Sequence, residues 1–143
     1  DNAGDFFVNL SIAYVDDERR SDTPGDPYVT IMEQERRLRS RSYLSFSWTK
    51  NDWAAGVSTS RIGSMNYQSP RWDGKPNTKI DPYYDIGAFV RYDIEDGHYV
   101  ALSVSNLMDD IPKKNSDLGW PWFAQYYYSP VGRELFLTYR YTF

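Results

Sequence analysis

Tyr84-Asp85-Ile86-Gly87-Ala88-Phe89-Val90-Arg91-Tyr92-Asp93-Ile94 changes character residue by residue. Tyr84, Ile86, Ala88, Val90, Tyr92 and Ile94 fall on one side of an extended chain; Asp85, Gly87, Arg91 and Asp93 fall on the other. Successive side chains of a strand point to opposite faces, so period two predicts a strand with two chemically different sides. The pattern recurs on both flanks. Phe6, Val8, Leu10, Ile12 and Tyr14 oppose Asn9, Ser11 and Ala13, and Leu44, Phe46 and Trp48 oppose Tyr43, Ser45, Ser47 and Thr49. A weaker run lies at about Trp53 to Asn66. Val100, Leu102 and Val104 then oppose Ala101, Ser103 and Ser105, and Leu135, Leu137, Tyr139, Tyr141 and Phe143 oppose Thr138, Arg140 and Thr142. Six strands are expected.

The links between them alternate too. Lys50-Asn51-Asp52 and Glu95-Asp96-Gly97 are tight polar turns with hairpin chemistry. Asp16 to Glu33, Tyr67 to Ile80 and Asp109 to Val131 are long and rich in Pro, Gly, Asp and Asn. Short turns at one end and long loops at the other are the pattern of an outer-membrane barrel.

Composition narrows the classes. The 143 residues include 13 Tyr, 7 Phe and 5 Trp, an aromatic share that leans towards β structure. The longest apolar run, Trp120 to Tyr128, is broken by Pro121 and Gln125 and falls short of the roughly 20 residues a membrane-spanning helix needs. Cysteine is absent, which removes disulfides, thiolate metal sites and cysteine nucleophiles. A net charge of −4 argues against a nucleic-acid partner, since phosphate binding needs clustered Lys and Arg. Asp1 to Asp5 has neither the basic start nor the apolar stretch of a signal peptide, so an exported protein would not begin here.

Alternation alone leaves open which face is covered. A soluble barrel or sandwich turns its apolar face inward, and a membrane barrel turns it outward. The other face here carries Ser, Thr, Asn, Gly and charge, and Phe6, Tyr14, Trp48, Trp53, Tyr84, Tyr92, Tyr139 and Tyr141 stand at the ends of the apolar stripes, as in interfacial girdles. The expected fold class is therefore all-β, with about six antiparallel transmembrane barrel strands. Natural membrane barrels have at least about eight strands, so six imply a part of something larger.

The stretch Val100 to Phe143 resembles the C-terminal signature of TonB-dependent outer-membrane receptors. Val104-Ser105-Asn106-Leu107-Met108-Asp109 is similar to that family's V-x-N-L-F-D motif, with Met at the usual Phe. Ser129-Pro130-Val131-Gly132-Arg133-Glu134 resembles its P-G-R lead into an aromatic-ended last strand. The resemblance implies that residues 1–143 are the C-terminal part of a barrel of about 22 strands, without plug domain or TonB box. It implies TonB-coupled uptake of a ferric siderophore, vitamin or glycan in the outer membrane of a Gram-negative bacterium. The implied partners are membrane lipid, lipopolysaccharide, the TonB system acting through the missing plug, and the barrel-assembly machinery, which would read Tyr139, Tyr141 and Phe143. Two other readings stand beside it, a soluble β-sandwich or β-barrel binding module and an outer-membrane barrel enzyme.

Candidate sites follow. Arg37, Arg39 and Arg41 share the polar side and would form a cationic ladder, suited to an anionic ligand or to internal pairing with Asp85 or Asp93. Trp120, Trp122, Phe123 and Tyr126 crowd one long loop, where their rings suit a flat ligand or packing against neighbouring loops. Asp16-Asp17-Glu18 and Asp109-Asp110 lack the ligand spacing of a calcium loop, so no metal is expected. His98 is the single histidine and stands beside a tight turn. Without cysteine, a second histidine or a convincing carboxylate pair, neither catalysis nor a cofactor is expected.

Overall fold

The computed structural model describes residues 3–31, 37–67, 78–112 and 127–142. The strands are β1 (Asp5–Tyr14), β2 (Arg19–Arg20), β3 (Val29–Thr30), β4 (Ser40–Lys50), β5 (Trp53–Ile62), β6 (Met65–Tyr67), β7 (Thr78–Ile80), β8 (Tyr83–Ile94), β9 (His98–Ser105) and β10 (Glu134–Arg140). Six of them build one antiparallel sheet in the order β1-β4-β5-β8-β9-β10, and β2-β3 and β6-β7 are separate two-stranded sheets. The six predicted strands are those of the large sheet. β2, β3 and β7 lie in stretches predicted as loops, and β6 begins within the run read as the third strand; segments of two or three residues are too short to show a period of their own.

The register turns the alternation into rows. Val8, Phe46, Val57, Ala88, Val104 and Leu135 face one another across all six strands. Phe6, Trp48, Ala55, Val90, Leu102 and Leu137 form the next row. Cross-strand neighbours on one face, directly opposed or diagonal, are the stabilising unit of a sheet, and aromatic ones meet here: the opposed Trp53 and Tyr92 at 4.8 Å and the diagonal Phe6 and Phe46 at 5.7 Å between ring centroids. On the other face run Phe7, Ser47, Gly56, Phe89, Ser103 and Phe136, then Asn9, Ser45, Ser58 and Gly87, then Ser11, Tyr43, Ser60 and Asp85.

Local chemistry sets the strand ends. Between Lys50 and Trp53 the chain reverses in two residues, with Asn51 at φ +51°, a left-handed conformation that asparagine tolerates. Glu95–Gly97 makes a single 3-10 turn between β8 and β9, with Gly97 at φ +80° and its carbonyl accepting the Thr142 hydroxyl at 3.3 Å. β1 begins after Gly4 at φ +92°, where an added Cβ would lie 2.5 Å from the Thr49 carbonyl oxygen. Next to it the Trp48 indole donates to the Ala3 carbonyl at 2.9 Å, so β1 and β4 are clamped at that end.

The closed transmembrane barrel is not what forms. Closure would pair the first strand with the last and leave no edge, whereas β1 pairs only with β4 and β10 only with β9. All three sheets are open. The sheet also lacks a second layer among the described residues, so its apolar face is uncovered: Leu10 is 62% and Leu137 76% exposed.

Among the described residues a small core lies at an end of the sheet. Met65 and Tyr128 are buried there, packed by Leu38, Ile62, Ile80, Tyr83 and Tyr127, with the Tyr83 and Tyr128 rings 5.1 Å apart. Burial raises the pKa of both phenols above the ordinary 10.0, and nearby charge on Asp85 and Asp110 adds to the effect at Tyr83. The Tyr128 hydroxyl is buried with no hydrogen-bond partner among the described residues. Above the ordinary tyrosine value the unfolded chain releases these protons first, so their contribution to stability is complete below about pH 10 and is lost as pH rises through the folded values. Tyr128→Phe is therefore expected to leave urea unfolding at pH 7 unchanged or slightly improved, and to flatten the loss of stability above pH 10. Alkaline unfolding curves that superimpose for the two proteins would refute this.

Candidate functional site

The serine-bearing face holds a continuous hollow. One part, about 510 Å³, is lined by Tyr43, Ser45, Ser47, Ser58, Ser60, Asp85, Gly87, Phe89, Ser103 and Ser105 among others. The other part, about 260 Å³, shares Ser60, Asp85 and Ser105 and extends past Asn106 to Tyr83, Tyr127, Ser129 and Glu134. Period-two alternation brings these hydroxyls together: each strand contributes every second residue, and β4, β5, β8 and β9 lie side by side. Small residues make the floor low. Gly56 has no side chain because the Phe89 ring occupies that space; a Cβ there would lie 2.5 Å from Phe89 Cε1. Phe89 and Tyr43 stand over the floor as flat walls.

One rim of the hollow is built by Asn106, which is 5% exposed and has φ +48°. Its backbone N–H donates to Asp85 Oδ1 at 3.1 Å, and its side-chain amide donates to the carbonyls of Asp110 at 2.8 Å and Val131 at 3.3 Å. Asn106 Oδ1 accepts the Asp110 N–H at 2.9 Å. Asp109, at φ +56°, accepts the Arg133 N–H at 2.8 Å on its carboxylate. At Gly132 a Cβ would lie 2.6 Å from that same carboxylate oxygen. Val104 to Asp109 and Ser129 to Glu134 thus form one clamp: the end of β9 holds the lead into β10 and points Asp85 at the hollow. Tyr83 closes the corner by donating to the Asp110 carbonyl at 3.1 Å.

Among the described residues that line the hollow there is no lysine or arginine, and its charged side chains are Asp85 and Glu134. The arrangement can hydrogen-bond through many small hydroxyls, which both donate and accept, and can offer ring faces to a ligand. It repels anions.

The sites read from sequence that fall on described residues do not line the hollow. Arg37 and Arg39 precede β4 and Arg41 lies in it, at the end of the sheet. Arg37 pairs with Glu18 at 3.2 Å, not with Asp85 or Asp93. Asp93 is instead engaged by Arg91, whose guanidinium also lies 4.2 Å from the Tyr99 ring. Trp120, Trp122, Phe123, Tyr126 and Phe143 lie outside the described residues. Tyr139 faces Val100 in the β9-β10 ladder, and the Tyr141 ring lies 4.3 Å from His98. Asp17 accepts the Thr30 hydroxyl at 2.7 Å and pairs with Arg19; the Thr30 hydroxyl foremost, then Arg19, holds its pKa below the usual carboxylate value. Asp17 thus ties the start of β2 to β3. Reading from sequence missed the serine hollow, although its signal was present: five serines at alternate positions, Ser45, Ser47, Ser58, Ser60 and Ser103, on strands already recognised.

The open sheets also overturn what was built on the barrel. TonB-coupled uptake, the lipid, lipopolysaccharide, TonB and assembly-machinery partners, and the outer-membrane location all required a closed transmembrane barrel, and the β1 and β10 edges stand open. The motifs that suggested the receptor family are accounted for locally by the Asn106 clamp. Comparison of the chain with protein-family models, with curated proteins and with solved structures finds no match, and the receptor resemblance gains no support from it.

Proposed function

We propose that this chain is a non-catalytic binding module that holds a neutral or cationic, hydroxyl-rich small ligand, a saccharide or polyol, in the hollow between Tyr43 and Phe89. The observation that carries the reading is the lining itself: serine hydroxyls from three strands, the rings of Tyr43, Phe89, Tyr83 and Tyr127, two carboxylates and, among the described residues, no lysine or arginine. Convergent polar groups in a part-apolar recess are the usual form of a small-molecule site. Ring faces pack on the C–H faces of such a ligand while the hydroxyls exchange hydrogen bonds with its oxygens.

Titration of the 15N-labelled chain with a panel of neutral mono- and disaccharides and polyols tests the reading. Amide shifts are expected at Ser45, Ser58, Ser60 and Ser103, with none at Leu10 or Leu137. Tyr43→Ala should weaken binding about tenfold, the equivalent of about 1.4 kcal/mol. Ser58→Tyr, which fills the hollow without disturbing the strand, should abolish binding. No shift on the serine face with any of the panel, or undiminished binding in Ser58→Tyr, would refute the reading.

A further inference from the structure

The apolar face of the six-stranded sheet poses a problem of area. A compact monomer of 16.8 kDa exposes about 7,700 Å². This chain exposes 10627 Å², an excess of roughly 3,000 Å² over that expectation. The face contributes to that excess: Val8 is 62%, Phe46 43%, Val57 45% and Leu135 69% exposed, on a face with no second layer among the described residues.

We infer that this face is covered by the same face of a second copy, so that two single sheets make one β-sandwich. Three features favour a second copy over an unrelated partner. The first is breadth: six strands at about 4.8 Å span about 29 Å, and strands of about nine residues run about 30 Å. An identical sheet matches that footprint by construction. The footprint, about 850 Å² for each copy before side-chain relief is added, reaches the total that stable dimers bury. The second is charge. Among the described residues no carboxylate lies on the face, and its two cations, Lys50 and Arg61, stand at opposite ends of the strands, where Arg61 already bonds Tyr84 and Ser40. Nothing on the face asks for a partner of opposite sign. The third is geometry: open twisted sheets pack face to face at about 30° with their inner side chains interleaved, and a twofold axis presents each row to its own copy. The serine hollow lies on the opposite face and stays open in such a dimer.

Sedimentation and light scattering on the full 143-residue chain test the inference. The expected mass is twice 16.8 kDa. Val57→Asp, at the centre of the face, should shift dissociation by at least about 100-fold, and Ser58→Asp, its neighbour on the opposite face, should not. Because a charge buried at position 57 also destabilises the fold, a second measurement uses the absence of native cysteine. Val57→Cys should be protected from maleimide at high protein concentration and become reactive on dilution, whereas Ser58→Cys should react equally at both. A monomer at all concentrations, a chain monodisperse only inside detergent micelles, or equal labelling of the two cysteines would each overturn the dimer. None of these outcomes bears on the ligand titration, so the two readings fail separately.

Discussion

Asn106→Ala is expected to lower the free energy of unfolding by about 3 kcal/mol, the sum of two effects of known size. Truncation strips partners from the Asp110 N–H and from the Asp110 and Val131 carbonyls, and a buried polar group left unsatisfied costs about 1–3 kcal/mol. It also places alanine at φ +48°, where the left-handed conformation costs about 1 kcal/mol or more. Asn106→Gly separates the two. It loses the same hydrogen bonds without the backbone strain, so it should be less damaging than alanine by about 1 kcal/mol. Urea unfolding followed by tryptophan fluorescence measures both. The bond to Asp85 comes from the Asn106 backbone N–H, which both variants keep, so the loss should appear in stability first and in ligand binding only as far as the loosened clamp shifts that backbone. A loss below about 1 kcal/mol in Asn106→Ala would mean that water replaces the lost partners and that the clamp is not structural.

Gly56→Val tests the opposite failure, too much side chain. The new Cβ would meet the Phe89 ring at 2.5 Å and the Phe46 carbonyl oxygen at 2.9 Å. The ring can turn away; the carbonyl belongs to the β4-β5 ladder and cannot move without breaking the pairing of Ser47 with Gly56. Overpacking of this kind costs about 1–3 kcal/mol, and the upper end is expected because backbone is involved. Displacing Phe89 also removes a wall of the hollow, so binding should fall further than Tyr43→Ala alone makes it fall. Gly87→Ala is the control: its Cβ would come no closer than 3.3 Å to the Ser58 hydroxyl and the Val104 carbonyl. It should cost less than about 1 kcal/mol. Equal stability losses at the two glycines would show that the contact with Phe46 and Phe89 is not the cause.

Most of the large sheet was legible in the sequence because alternation is a local signal. Tyr84 to Ile94 announces its strand in its own residues, and β8 occupies Tyr83–Ile94. The third run was less clear. It was expected to reach Asn66, but β5 ends at Ile62, where Gly63 N–H donates to the Ser40 carbonyl at 2.8 Å and leaves no room for a side chain against Ser40. The global arrangement was not legible. The same stripes serve a barrel, a sandwich or an open sheet, because period two states that two faces differ and not what meets either of them. The candidate site was missed for a related reason. Arginines and tryptophans attract notice one at a time, whereas the hollow is made from serines ordinary in themselves and significant only once the register sets Ser45 beside Ser58 and Ser58 beside Gly87.

That residue-by-residue division between the faces has a bearing on which indels the chain can accept. One residue inserted into the middle of β5 would carry everything downstream in that strand to the wrong side, exchanging Val57 for Ser58 in both environments at once. A pair of added residues would restore the parity. Length variation should therefore come in twos within the strands, and in any number between Arg20 and Val29, where no ladder spanning the sheet keeps count.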